Sequence, residues 1–331
     1  MEIRTLGRTG LQVAVLGFGC GAVGGLMVNG TPADQERAVA WAIEQGINYF
    51  DTAAQYGDGK SETNLGRVLK ALKAPRDKTL VGTKVRISPA ERGQIGKAIA
   101  TAMDASLQRL GMDGVDLFQL HNAITDAGNS PDLSLENVLN EVVPALEKLR
   151  QQGKTRFIGM TALGDASALH KIVAAGVMDT AQVPHNLLNP TPMYQMPADY
   201  PSQDFQQLMP AAAKAGIGLI GIRVIAGGAL SGTETRHPIG MQSVEPIGST
   251  ASYAKDAANA RRLQPLVDEG LVGSVIEAAI RFAISNNAMS TVLIGLSTQG
   301  ELEQAAAAIN KGRLSDAALA RIAELQGSFT G

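Results

Sequence analysis

Short runs of β-branched and aliphatic residues alternate along the chain with longer stretches whose apolar positions recur every three or four residues. The pattern predicts a βα unit repeated every roughly 30 to 40 residues. Eight runs read as strands: 13–19, 48–53, 79–84, 115–121, 155–161, 180–185, 217–225 and 291–295. Most are apolar throughout, as parallel strands covered on both faces should be. Residues 1–13, with Gly7 and Thr9-Gly10 between short β-like segments, predict a hairpin ahead of the first long strand, placed to cap its bottom.

The helices carry their own punctuation. Thr31 and Pro32 suit an N-cap and first turn, Ala38, Val39, Ala42 and Ile43 form one stripe, and Gly46 ends it. Ser61 opens a second helix with Leu65, Val68, Leu69 and Leu72 inward; Ile95 to Leu110 forms a third that stops at Gly111. Pro144 should kink or restart a helix over 135–152, and Pro210 one over 202–215. The span from strand seven to strand eight is too long for one helix: 231–255 reads as a loop, a candidate lid, and 256–287 as helical. The 331 residues form one series without a second-domain signal, so a single domain is expected over 1–331, with 1–13 and 231–287 as its additions.

Composition narrows the partners. With 29 Lys plus Arg against 31 Asp plus Glu the net charge is −2, and no basic run could neutralise a row of phosphates, so nucleic acid and anionic membranes are not expected. The apolar stretch 217–230 is broken by Arg223 and is too short to span a bilayer. One cysteine, Cys20, and the absence of an apolar leader at Met1-Glu2-Ile3-Arg4 point to the cytoplasm. Gly19-x-Gly21-x-x-Gly24 raises a doubly wound dinucleotide fold, but six residues separate Gly24 from the first helix cap, so these glycines belong to a loop.

Acid–base chemistry gathers at strand tips. Asp51 ends the second run, Tyr56 follows it, Lys84 ends the third and His121 the fourth. In a parallel barrel those tips share one face, within reach of each other. A phenol is a poor proton donor near neutrality unless a cation stabilises its phenolate. Lys84 supplies that cation, Asp51 holds it protonated, and a neutral His121 orients a carbonyl oxygen toward Tyr56. Such a set protonates an oxyanion and needs a hydride source.

Phe50-Asp51-Thr52-Ala53-x-x-Tyr56-Gly57, Gly82-Thr83-Lys84 and Leu120-His121, with the opening Arg4-Thr5-Leu6-Gly7-Arg8-Thr9-Gly10, resemble the aldo-keto reductase superfamily. The resemblance implies a (β/α)8 TIM barrel, reduction of aldehydes or ketones (or the reverse) with NAD(H) or NADP(H), and a tetrad of Asp51, Tyr56, Lys84 and His121. It implies cofactor contacts from Gly19, Cys20, Asp51, Thr161, Gln182, Ile222, Arg223, Ile225, Gly227, Gly295, Ser297, Thr298, Gln299 and Glu301, with Gln182 on the nicotinamide carboxamide.

This chain departs from the family pattern at four places. Thr161-Ala162 replaces Ser-Asn, and Ile222-Arg223 stands where an aromatic usually packs under the nicotinamide. Glu301 replaces a cation or amide, which favours NAD(H), and Ala305 replaces an adenine-binding Asn. The resemblance also leaves open a sugar 1-dehydrogenase, or a cofactor-bound redox-sensing subunit. Loops 21–30, 122–134, 187–203 and 231–255 are expected to build the substrate pocket, with Met27, Tyr194, Tyr200 and Tyr253 as candidate walls. His170 and His237 read as background.

Overall fold

The structure is a computed structural model that describes residues 1–330. Eight parallel strands close into a barrel: β1 (Leu16–Gly19), β2 (Tyr49–Asp51), β3 (Leu80–Val85), β4 (Val115–Leu120), β5 (Thr155–Thr161), β6 (Thr180–Pro184), β7 (Gly218–Ile222) and β8 (Met289–Gly295). Each pairs with its neighbours in sequence, and β8 closes on β1 with Gly295 opposite Gly19. The (β/α)8 expectation therefore holds.

The first predicted strand divides in two. Gln12–Ala14 pairs antiparallel with Ile3–Thr5 as the N-terminal hairpin, and only Leu16–Gly19 joins the barrel. Leu6, Leu11 and Val13 pack with Tyr49, Leu80, Leu117, Ile220 and Leu293, so the hairpin closes the barrel floor with apolar surface. The seventh strand is shorter than expected, because Arg223 leaves it at φ +57.

The helices form an outer ring: α1 (Pro32–Glu44), α2 (Lys60–Ala71), α3 (Ile95–Leu110), α4 (Val143–Gln151), α5 (Ala166–Ala175) and α6 (Leu208–Lys214). Thr31 caps α1 by accepting from the Asp34 amide, and left-handed Gly111 ends α3. Pro144 restarts the fourth helix: a π-helical turn over Val138–Val142 precedes α4, since proline has no N–H to continue the ladder. Helix α6 begins at Leu208, not Ser202, and Pro210 sits in its first turn.

The long connection to β8 carries an irregular stretch, then α7 (Tyr253–Arg261), a single turn and α8 (Val275–Ile284). Two further helices, α9 (Gln299–Asn310) and α10 (Asp316–Gln326), follow β8. Ala229, Ala260, Leu266, Ala279 and Ile322 form a second apolar cluster beside the barrel, and it anchors this addition. No described helix is long and apolar enough to cross a membrane.

Candidate active site

Register decides which side chains meet. Asp51 ends β2 opposite Gly82, and Lys84, two residues further along β3, faces the same way and stands opposite Gln119 of β4. Lys84 is fully buried and Asp51 is 3% exposed. They form a short ion pair through Asp51 Oδ1. The Lys84 ammonium also donates to the Thr52 carbonyl at 2.8 Å and the Tyr56 hydroxyl at 3.3 Å. All three of its hydrogens are thereby used.

Burial works against the Lys84 charge, but Asp51 and Tyr56 outweigh it and hold the ammonium above its usual range. For Tyr56 the balance runs the other way. Burial raises the phenol, and Lys84 only partly offsets it, so Tyr56 stays above the usual tyrosine value rather than becoming acidic. His121 follows β4 and meets Tyr56 edge-on, with ring centroids 5.7 Å apart. Burial, helped by Lys84 and Arg86, pushes His121 down to about 3, so its imidazole is neutral. Its Nδ1 lies 3.2 Å from the Gln55 side-chain oxygen.

A cleft of ≈ 410 Å³ opens beside Tyr56 at the C-terminal mouth of the barrel, a size typical of ligand sites. Of the residues expected to line a cofactor site, Gly19, Asp51, Gln182, Ile222, Arg223, Ile225, Gly227, Gly295, Ser297 and Glu301 border it. Four do not. Cys20 is 1% exposed, with its amide on the Asp51 carbonyl and its own carbonyl taken by Ser61. Thr161 is enclosed at the end of β5. Thr298 caps α9 and Gln299 donates to Glu303, one turn along that helix. Gln182 reaches the cleft, and its amide nitrogen donates one hydrogen to Asp51 Oδ2 at 2.6 Å. The Glu301 carboxylate accepts from the Ser297 amide at 2.6 Å.

The cleft's other wall comes from the connection after β7. Thr233, Thr235, Arg236 and His237 border it, as does Tyr253, whose ring the Arg236 guanidinium covers at 5.4 Å. Arg236 also donates to the Gly227 and Val23 carbonyls, tying this segment to the loop after β1. Arg236 carries no local sequence signal. Of the other candidate walls, Met27 is buried in the core, Tyr194 lies against His185, and Tyr200 donates to the Leu188 carbonyl.

Residues 15–326 match the aldo/keto reductase family. L-galactose dehydrogenase of Arabidopsis thaliana is 30% identical over 315 residues, covering 94% of this chain and 89% of that protein. Versiconal hemiacetal acetate reductase of Aspergillus parasiticus is 23% identical, covering 93% and 92%. A probable voltage-gated potassium channel subunit beta of Arabidopsis thaliana is 25% identical, covering 92% and 90%. An aldo-keto reductase of Bacillus halodurans in its holo form shares the fold at a TM-score of 0.71 and 23% identity, over 98% of this chain and 96% of that one. A family match across nearly the whole length, joined to the full-length likeness to a dehydrogenase, makes this chain a member of the aldo/keto reductase family of oxidoreductases.

Proposed function

We propose that this protein reduces aldehydes or ketones with NAD(H) or NADP(H), or runs the reverse oxidation, with Tyr56 exchanging the proton. The observation that carries the reading is the Asp51–Lys84–Tyr56 chain at the edge of the cleft. The nicotinamide, when bound, supplies or accepts the hydride.

The residues fit such an anionic dinucleotide. Arg223 and Arg236 both border the cleft, and neither pairs with a carboxylate among the described residues. They would face the pyrophosphate, beside the Gly227-Gly228 backbone. Glu301 on the cleft wall favours NAD(H), since a carboxylate there would repel a 2′-phosphate.

Tyr56 carries its proton at neutral pH, the state required to donate as negative charge builds on the carbonyl oxygen. Lys84 stabilises the phenolate left behind, and Asp51 keeps Lys84 charged. Neutral His121 polarises the carbonyl if Nε2 carries its hydrogen, so Nδ1 must accept and the Gln55 amide must present its nitrogen. A half-turn of that amide brings its nitrogen to Nδ1.

Tyr56→Phe tests the reading. Reduction of a carbonyl panel, followed at the nicotinamide absorbance, should fall by at least about two orders of magnitude, with dinucleotide affinity by calorimetry nearly unchanged. Near-normal turnover would sink it. The full-length likeness to L-galactose dehydrogenase makes oxidation of a sugar's anomeric hydroxyl the second reading, and aldoses with NAD belong in the same panel.

A further inference from the structure

Asp51 has a second carboxylate oxygen, and the barrel interior is arranged around it. Oδ2 accepts from the Tyr49 hydroxyl at 2.7 Å, Gln182 Nε2 at 2.6 Å and Gln119 Nε2 at 3.4 Å. None of the three donors is more than 2% exposed. Tyr49 otherwise sits in the apolar layer of Leu6, Leu117 and Ile220, where an aliphatic side chain would meet no polar requirement.

Room for its phenol is made by a glycine. A Cβ on Gly82, which stands opposite Asp51 on β3, would lie 2.5 Å from the Tyr49 oxygen. Tyr49 and Asp51 are two apart on one strand and so share a face, which aims the hydroxyl up the barrel axis at the carboxylate.

We infer that Tyr49 is a positioning residue for proton transfer: with Gln119 and Gln182 it holds Asp51 Oδ2, leaving Oδ1 for Lys84 and drawing negative charge away from Tyr56. The inference rests on the reading of Tyr56 as the proton-exchanging group. A nearby carboxylate opposes ionisation of a phenol, and donors on its far oxygen weaken that opposition. Without the Tyr49 hydroxyl, charge returns to Oδ1, Lys84 is more fully neutralised, and Tyr56 ionises less readily.

The test needs no substrate. Tyr56 is replaced by 3,5-difluorotyrosine, whose phenol ionises nearer neutrality, and its titration is followed by fluorine NMR in the otherwise unchanged protein, in Tyr49→Phe and in Gly82→Ala. The midpoint should rise by about half to one pH unit in both variants. Gly82→Ala removes no hydrogen-bonding group and acts only by displacing the phenol, so it decides the matter if Tyr49→Phe fails to fold. An unshifted or lowered midpoint in folded Tyr49→Phe, or in Gly82→Ala where that variant decides, overturns the inference. Turnover of 4-nitrobenzaldehyde separates the two claims: activity surviving in Tyr56→Phe defeats the catalytic reading, whereas an unshifted midpoint beside an inactive Tyr56→Phe defeats only the role of Tyr49.

Discussion

Arg223 leaves β7 at φ +57, a backbone region that costs a non-glycine residue about 1 kcal/mol or more. Burial presses its guanidinium below the usual value. Under the proposed function, strain together with an unpaired cation fits a side chain kept for an anionic ligand. Arg223→Gly should leave the melting temperature equal or higher while weakening ADP binding about tenfold; lost stability with unchanged affinity would refute the anion role. Gln55 offers a second test. In Gln55→Glu the carboxylate would hold the hydrogen on His121 Nδ1, leave Nε2 without one, and raise the imidazole from about 3. Carbonyl reduction should fall about tenfold or more, with a new ionisation near neutrality in the pH profile.

The segment after β7 is held across the cleft by few bonds. Besides Arg236 on the Val23 carbonyl, Asn29 Nδ2 donates to the Ile239 carbonyl at 2.8 Å, and the Met241 amide to the Val23 carbonyl at 3.2 Å. Asn29→Ala should speed amide exchange in residues 236–242 several-fold without altering the barrel strands, because so sparsely bonded a segment opens locally. Among the repeat's own elements, the eight strands were legible because buried parallel strands are apolar throughout, and Pro144 announced its break. The ends of β1 and β7 were not. Val13 and Ala14 look the same whether they pair with the hairpin or the barrel, and the departure of Arg223 is a backbone turn with no residue type to announce it.

Stability of the whole protein should depend on pH through buried imidazoles. His185 is fully enclosed, stacked on Phe282 at 5.0 Å, and neither ring nitrogen has a partner. Burial pushes it down to about 3, against an ordinary 6.5. The unfolded chain therefore binds the proton first, so stability is whole above about pH 6.5 and drains as pH falls toward 3. His185→Phe should flatten this slope, by on the order of a few kcal/mol near pH 4; urea titrations at several pH values would show an unchanged slope if His185 does not contribute.

Asp51, Tyr56, Lys84 and His121 each stand at or beside a strand tip, and eight parallel strands place their tips on one face, so their gathering was legible in the sequence. Contacts between remote segments had no such rule. Thr298 and Gln299 are turned into a helix cap and a helix pair, Gln182 is drawn to Asp51, and Arg236 arrives from a loop far along the chain. Local pattern dictates which segments become strand or helix, since burial periodicity is written in consecutive residues. Which oxygen of Asp51 faces Lys84, and that Arg236 joins Arg223 at the cleft, depends on close approach between strands and loops distant in sequence, and that was decided only when the barrel closed.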